Sequence, residues 1–415
     1  MPIGRDHRPM SDRLDRRCYA CDRSTREPRA RCSCGEPLWF SLCQPGEWPG
    51  SWSASGDGSA STVDRGPVGS GIGRYTSLLP VDPTAADLGA GSTPLVRAKR
   101  LDALADCRLW LKDEGQNPTG SFKDRGSAVG VAAVAAAGNG ERVGTVSHGN
   151  MARSTAAHAA AAGVDCVVLV PDDVPAERLA AIARFEPTIL RVRGEYGRLY
   201  HDALALGPDH GIRFVNSDVP LRVAGQKTLA YELLEAAPDL DAIVLPVSSG
   251  GNASAVWKGL REARLAGVID DLPRLHLVQA AACDPIAAAF RRGDETVTST
   301  TAGETVAYSI ANPDPPSGTR ALAAVRATGG AVVSVDDEAI REARSRLARR
   351  AGIEAEAAAA TPLAGVRQLC RSGAIDADER VACVVTGRGY GDGGGDPPTS
   401  PVVDRSELGD AFDPV

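Results

Sequence analysis

The sequence predicts an α/β protein in which helices cover both faces of a parallel sheet. Short apolar runs, such as DCVVLVP, AIVLPV and ERVACVVTG, have the length and composition of buried parallel strands. Alanine-rich stretches with helical character, such as SAVGVAAVAAA and DEAIREARSRLARRAG, lie between them. Strands that alternate with helices in this way are typical of a parallel sheet with helices packed on its two sides.

Length, charge and hydropathy exclude several classes of protein. The chain has 415 residues, 43% of them hydrophobic, a net charge of -7 and a pI near 5.5. Such an acidic chain is not typical of nucleic-acid binders, and no apolar run reaches the roughly 18 residues of a spanning helix. The N-terminus, MPIGRDHRPMSDRLDRRC, lacks the apolar core of a secretory signal. We therefore expect a cytoplasmic protein of two to three domains that binds neither nucleic acid nor membranes.

Lys123 is one of few lysines in the chain. Only five lysines occur beside dozens of arginines, and Lys123 follows the turn-forming run NPTGSF. An arginine stays charged, whereas a lysine in a tight apolar turn can lose its proton and attack a carbonyl carbon. Lys123 is therefore a candidate for covalent chemistry. The alternative is an ordinary surface lysine at the start of a helix.

A run of small residues follows the strand AIVLPV and precedes a helix. Its members are Ser248, Ser249, Gly250, Gly251 and Asn252. Glycine-rich turns at the start of a helix present free backbone N–H groups to a phosphate. The run lacks the Gly-Lys-Ser/Thr ending of a nucleotide-binding P-loop. A phosphate site and an ordinary tight turn with an Asn cap both fit this pattern.

Two further strand ends carry polar residues. Ser147, His148 and Asn150 follow the strand RVGTV, and Thr386 follows ERVACVV. Asn150 can bond a ligand hydroxyl or cap the following helix, and no neighbouring acid or nucleophile supports a catalytic triad at His148. Because the carboxyl ends of parallel strands converge, we expect these loops to line one cleft.

Taken in order, these motifs resemble the pyridoxal-phosphate (PLP) enzymes of fold type II, the tryptophan synthase β-like class. Within that class the chain is most similar to the threonine synthases. Three further stretches carry this resemblance: residues 71–97, NSDVPLRVAGQKTLAYE at 216–232, and AGIEAEAAAATPLAGV at 351–366. The resemblance covers most of residues 74–390.

The resemblance implies roles for the cofactor-binding residues. Lys123 would hold PLP covalently and move protons, and Phe122 would lie near the cofactor ring. Asn150 would bond the cofactor 3′-oxygen, Thr386 would contact the pyridine nitrogen, and the run 248–252 would hold the cofactor phosphate. A hydroxyl beside the pyridine nitrogen would leave this nitrogen largely unprotonated, which weakens the ring as an electron sink.

The resemblance also implies a small amino-acid substrate, O-phosphohomoserine, whose phosphate needs a second site. The residues that match the substrate-binding set of the family are Ser147, Asn216, Ser217, Arg222 and Lys227. The guanidinium fork of an arginine suits a phosphate dianion, although Arg222 could also form a structural ion pair. The implied reaction is a β,γ-replacement that yields threonine and phosphate.

Four positions depart from the family pattern. Met151 and Val219 stand where small or polar residues are usual, the stretch 305–322 lacks an expected basic residue, and the loop after Thr386 reads TGRGYGDGG. The cofactor set is therefore better preserved than the substrate set. A threonine or serine dehydratase and a cysteate synthase are the alternative enzymes, and a catalytically silent binding protein is the alternative class.

The expected layout has five parts and a homodimeric assembly. In order, the parts are a Cys-rich, zinc-ribbon-like module (1–45), a Gly/Ser-rich linker (46–73), a large PLP-binding domain (74–126 and 226–390), a small α/β domain (127–225) and a disordered tail (391–415). The small domain is expected to close over the substrate and exclude water.

Four of the ten cysteines form two close pairs near the N-terminus. Two residues separate Cys18 from Cys21, and one residue separates Cys32 from Cys34. Two such pairs joined by a short loop are typical of a tetrahedral zinc site with four thiolates, which is structural because no coordination position stays open. We expect structural zinc here; two disulfides or a metal-free knuckle are the alternatives.

Overall fold

The computed structural model describes residues 14–43, 48, 71–193 and 196–389. The predicted tail lies outside these residues, and so does the predicted linker up to residue 70, apart from Trp48. Residues 71–73, which the linker prediction included, begin a 3-10 helix, Gly71–Leu78. Ile72 in this helix is buried, and its N–H donates to Ala90 O at 2.7 Å.

The described strands form three sheets. In chain order they are β1 (Arg16–Cys18), β2 (Ser24–Thr25), β3 (Leu38–Phe40), β4 (Leu95–Arg97), β5 (Arg108–Asp113), β6 (Arg142–Val146), β7 (Cys166–Pro171), β8 (Thr188–Val192), β9 (Ile212–Phe214), β10 (Ala242–Pro246), β11 (Arg274–Ala280), β12 (Val332–Val335) and β13 (Arg380–Val385). A small antiparallel sheet has the order β2-β1-β3, a six-stranded sheet the order β12-β11-β10-β13-β5-β4, and a four-stranded sheet the order β8-β7-β6-β9.

The two larger sheets have the parallel pairing that the sequence predicts. All pairs in the four-stranded sheet are parallel, and so are those of the six-stranded sheet except β4, which runs antiparallel to β5 at one edge. The central strands β10 and β13 are almost wholly buried, as expected for strands covered on both faces. The predicted α/β class is therefore confirmed.

Helices connect the strands. They are α1 (Asp102–Ala105), α2 (Lys123–Ala137), α3 (Asn150–Ala162), α4 (Ala176–Ala183), α5 (Tyr196–Leu206), α6 (Pro220–Gln226), α7 (Thr228–Ala236), α8 (Gly251–Leu265), α9 (Pro285–Arg292), α10 (Gly318–Ala327), α11 (Asp337–Arg346) and α12 (Ala357–Arg371). None of the helices in the described segments is both long and apolar enough to cross a membrane.

Helices α2 and α6 cross at very short range because each has a glycine at the crossing. A Cβ atom added at Gly126 would lie 2.4 Å from Arg222 Cγ, and one at Gly225 would lie 2.0 Å from Arg125 O. Any larger residue would push the helices apart. This crossing brings Arg222 close to the start of α2, where Lys123 lies.

The N-terminal module, residues 14–43, packs on the six-stranded unit. The Trp39 ring lies 5.5 Å from the Trp257 ring of α8, and Tyr19 packs edge-on against both rings. Arg320 of α10 donates to Pro37 O at 3.2 Å. Trp39 is only 2% exposed and belongs to the main hydrophobic core, so this module is part of the folded body.

Candidate active site

Lys123 is the first residue of α2, and the loop after β13 holds it in place. The Phe122 N–H donates to Thr386 O at 3.0 Å, and Ser121 forms a β-bridge with Gly387. The structure therefore places Lys123 and Phe122 beside Thr386, although these segments are more than 250 residues apart in sequence. The Lys123 ammonium nitrogen lies 4.4 Å from the centre of the Phe122 ring.

The surroundings of Lys123 favour its neutral amine. Desolvation by the surrounding protein, together with the positive charge of Arg222, lowers the pKa of Lys123 to about 7, while the Glu356 carboxylate opposes this shift. At neutral pH a large fraction of the amine is then unprotonated, which a lysine needs to attack a carbonyl carbon. This is the chemistry that distinguishes Lys123 from a surface lysine.

Asn150 and Glu356 meet beside the same loop. The Asn150 side-chain amide donates to Glu356 Oε2 at 2.8 Å, and a Cβ atom at Gly387 would lie 3.1 Å from Glu356 Oε1. The Glu356 N–H donates to Gly387 O at 3.2 Å. Three segments therefore converge here: the start of α3, the loop after β13 and the start of α12.

Sequence reasoning assigned no role to Glu356. It occupies the N-cap position of α12 with an extended backbone, at φ -64° and ψ 157°. A glutamate directly before an apolar helical run was the available signal, but its contact with Asn150 spans 206 residues and follows from no local pattern.

The run 248–252 joins β10 to α8 and has little space for larger side chains. Gly250 has a φ of +85°, and a Cβ atom there would lie 2.3 Å from Ser317 O. A Cβ atom at Gly251 would lie 2.2 Å from Ser217 O. The Ser317 N–H donates to Ser249 O at 2.8 Å. Ser217 and Ser317 therefore act as two walls of this loop.

The side-chain amide of Asn252, at the start of α8, bears on what the loop could bind. Both polar atoms of its side-chain amide are buried and have no hydrogen-bond partner among the described residues. Buried amides are normally satisfied, so a bound group with polar atoms is expected here. The loop also lies at the start of the 15-residue helix α8, whose free N–H groups attract anions. With Lys123, these features fit a phosphorylated aldehyde such as PLP.

Among the expected substrate-phosphate residues, Asn216 is buried, whereas Ser147 and Ser217 are partly exposed. The Asn216 side chain pairs with the backbone of β6, accepting from Val146 N at 3.2 Å and donating to Val146 O at 3.1 Å. Ser217 forms a wall of the loop through its backbone oxygen. Ser147 follows β6, and its hydroxyl accepts from Gly149 N at 3.2 Å.

Arg222 is fully buried between α2 and α3. Its guanidinium group donates to Val215 O at 2.7 Å, to Lys123 O at 3.1 Å and to Thr155 Oγ1 at 2.9 Å. Burial lowers the pKa of Arg222 to about 9, and the Asp124 carboxylate only partly offsets this shift. Arg222 is therefore a buried cation next to Lys123, and its fork is occupied by protein acceptors.

Lys227 lies elsewhere. Its ammonium nitrogen donates to Glu262 Oε2 at 2.8 Å and to Leu78 O at 2.7 Å, and the residue is 2% exposed. Five positions along a helix correspond to a turn of about 140°, so Lys227 points away from the face that carries Arg222. The structure does not bring Lys227 to the other expected substrate residues.

A different arginine lies near the SHGN segment. Arg178 of α4 hydrogen-bonds to His148 Nδ1 at 2.9 Å, and its guanidinium carbon lies 4.0 Å from the centre of the Tyr308 ring. Burial and the Arg178 charge lower the pKa of His148, which keeps the imidazole neutral near pH 7. Sequence analysis did not single out Arg178, because its partners come from distant segments.

The four N-terminal cysteines come together as their spacing predicts. The sulfur atoms of Cys18, Cys21, Cys32 and Cys34 all lie within 4.8 Å of one another. The Cys18–Cys34 and Cys21–Cys32 sulfur distances are both 3.6 Å, and all four are free thiols. Four converging thiols suit a tetrahedral metal ion.

Known proteins share both the sequence pattern and the fold. A family model described as pyridoxal-phosphate dependent enzyme matches residues 86–387. Threonine synthase of Methanocaldococcus jannaschii is 38% identical over 330 residues, covering 78% of this chain and 81% of that protein. Threonine synthase of Mycobacterium tuberculosis is 37% identical over 328 residues, covering 77% and 88%.

Solved structures of two other enzymes show the same fold. Maize serine racemase matches with a TM-score of 0.63 at 22% identity, covering 77% of this chain and 91% of that chain. Diaminopropionate ammonia lyase of Escherichia coli matches with a TM-score of 0.62 at 18% identity, covering 75% and 88%. At these identities the likeness concerns the fold alone.

Proposed function

The chain belongs to the threonine synthases within the pyridoxal-phosphate-dependent enzymes, and we propose that it converts O-phospho-L-homoserine and water into L-threonine and phosphate. It is a PLP-dependent lyase, and the resemblance inferred from the order of its motifs is confirmed. Relatives of this name at 34–38% identity match at least 76% of the chain.

One observation carries the proposal for the cofactor site. Lys123, whose pKa is lowered to about 7, shares its surroundings with Phe122, Thr386 and Glu356. PLP, when bound, draws electrons from the substrate α-carbon. Lys123 would hold it; once the substrate amine had displaced Lys123, the freed Lys123 amine would be suited to take a proton from that carbon at neutral pH.

The loop 248–252 would hold the cofactor phosphate. Its support is the orphaned Asn252 amide and the start of α8. We propose Asn150 for the cofactor 3′-oxygen; the Glu356 carboxylate, to which it donates, would orient its amide. Thr386 remains our proposal for the pyridine nitrogen.

The substrate phosphate would lie near Ser147, Asn216 and Ser217, with Arg222 acting through its charge. A buried cation attracts an anion more strongly than an exposed one, because the surrounding protein screens the charge less than water does. Arg178 adds a second cation on the SHGN side. We leave Lys227 out of this set because Glu262 and Leu78 O occupy its ammonium group.

Three further expectations belong to this proposal. The four clustered thiols of the N-terminal module support a structural zinc ion. We also propose that the protein works in the cytoplasm, where these thiols stay reduced, and that it forms a homodimer. Metal analysis and light scattering on the purified protein test these points.

One assay tests the main proposal. Purified protein, reconstituted with PLP, is incubated with O-phospho-L-homoserine, and inorganic phosphate and threonine are measured together. We expect equal release of both, and none from protein without cofactor.

The departures at Met151 and Val219 make a dehydratase the alternative. If the protein releases no phosphate from O-phospho-L-homoserine but converts threonine or serine to a keto acid, the dehydratase hypothesis replaces the threonine synthase hypothesis.

A further inference from the structure

Arg31 connects the N-terminal module to the cofactor-phosphate loop. It directly precedes Cys32, and its guanidinium group donates to Gly35 O of its own module at 2.8 Å. The same group reaches out of the module to two other segments. It donates to Asp218 Oδ2 and to Pro316 O, both at 3.0 Å.

The Arg31–Asp218 contact is shielded from water on one side. The Asp218 side chain is 2% exposed and the Arg31 side chain 28%. Tyr200 of α5 also hydrogen-bonds to the Asp218 carboxylate. A charge-assisted contact in such a setting holds its partners more firmly than an exposed ion pair does.

Both segments that Arg31 contacts lead directly to the loop 248–252. Asp218 follows Ser217, whose carbonyl oxygen touches the Gly251 backbone. Pro316 precedes Ser317, whose N–H donates to Ser249 O and whose carbonyl oxygen touches Gly250. One guanidinium group therefore holds both walls of the loop.

A loop of glycines and serines needs such walls. Gly250 and Gly251 have no side chains that restrict their backbone, so the surrounding segments must fix the directions of their N–H groups. A phosphate is bound tightly only when these N–H groups already converge on it.

We propose that Arg31 is a positioning residue through which the N-terminal module sets the affinity of loop 248–252 for the cofactor phosphate. The inference rests on the proposed function, since it takes PLP as the ligand. In this inference the N-terminal module influences cofactor binding as well as forming its own fold. Through Arg31, the module keeps the segments at Ser217 and Ser317 packed against the loop.

The test compares two cofactor forms on protein freed of cofactor. Dissociation constants are measured for PLP and for pyridoxal, which lacks the phosphate, by the change in protein fluorescence. Arg31→Ala is expected to weaken PLP binding on the order of tenfold, the size of a typical coupling between sites. Pyridoxal binding is expected to stay within about twofold, because the loop acts only on the phosphate.

Two variants separate this role from a general loss of structure. Arg29→Ala is the matched control, because Arg29 is an exposed arginine of the same module and forms an ion pair with Glu27 of its own segment. Arg31→Lys is expected to give intermediate PLP affinity, since one ammonium group can hold one wall but has no planar fork for both. Circular dichroism verifies the fold of each variant.

The outcomes are distinct. Equal PLP affinity in Arg31→Ala and the wild type would overturn the inference, and so would equal weakening of PLP and pyridoxal. Failure of the wild type to bind PLP at all would instead refute the proposed function. If Arg31→Ala does not fold, the ratio of PLP to pyridoxal affinity in Arg31→Lys decides: a ratio equal to that of the wild type overturns the inference.

Discussion

The cofactor side and the substrate-phosphate side of the candidate cleft are built differently. On the cofactor side, backbone contacts fix most of the expected cofactor-binding groups. The Phe122 N–H donates to Thr386 O, and the backbone around Gly251 is tightly packed. On the substrate side the expected groups are side chains, and those of Asn216 and Arg222 are bonded to protein atoms. Short motifs dictate backbone shape directly, whereas the direction of a side chain depends on partners that are distant in sequence.

The largest effect is expected on the cofactor side, from Lys123→Ala. Removing the amine should lower turnover on the order of a thousandfold or more and abolish the visible absorbance of lysine-bound PLP. Lys99→Ala is the control, since Lys99 is an exposed lysine at the start of a short 3-10 helix. Steady-state kinetics and absorbance spectra measure both; a coloured, active Lys123→Ala protein would place the covalent bond on another residue.

Gly251→Ala tests whether backbone shape controls the loop. The new Cβ atom would lie 2.2 Å from Ser217 O, a backbone atom that cannot rotate away. We expect the dissociation constant for PLP to rise by about tenfold to a hundredfold, since the loop must shift and its N–H groups no longer converge.

Gly73→Ala is the matched glycine control, because the nearest atom to a Cβ there is Asp87 Oδ2 at 3.9 Å. Its PLP affinity should equal that of the wild type. Unchanged PLP affinity in Gly251→Ala would show that the loop tolerates displacement and would remove the contrast between the two sides.

The same contrast explains how much could be predicted from the sequence. The parallel sheets follow from apolar runs such as AIVLPV, and the four thiols follow from their spacing, because both patterns are local. Glu356 and Arg178 were missed because their contacts join segments far apart in the chain. Lys227 was assigned to the substrate from its place in a motif, and only the helical turn between it and Arg222 reveals that the two diverge.

Arg222→Gln tests the substrate side. Loss of the buried charge should raise the KM for O-phospho-L-homoserine on the order of tenfold, because the anion loses its attraction to this cation. The KM for an unphosphorylated amino acid converted in a side reaction should change far less. An equal rise for both substrates would indicate a general distortion of the cleft instead.

Lys227→Met is expected to affect stability and leave substrate binding alone. Glu262 would keep its ion pair with Lys258 but lose the one with Lys227. We expect the free energy of unfolding to fall by about 1–3 kcal/mol, because a buried charge loses one of its partners. Denaturant unfolding measures this cost, and kinetics should give an unchanged KM. A KM increase like that of Arg222→Gln would return Lys227 to the substrate site.

The pH dependence of Lys123 gives the smallest and most specific effect. Only the neutral amine attacks an aldehyde, so the rate of its reaction with pyridoxal should rise with pH and level off above a midpoint near the Lys123 pKa of about 7. Arg222 disfavours the ammonium form and so lowers this pKa; in Arg222→Gln the midpoint should therefore move to higher pH. Borohydride trapping of the lysine adduct at a series of pH values measures the midpoint. An unmoved midpoint would mean that the Arg222 charge does not act on the Lys123 amine; its action on the substrate is decided by the KM of Arg222→Gln.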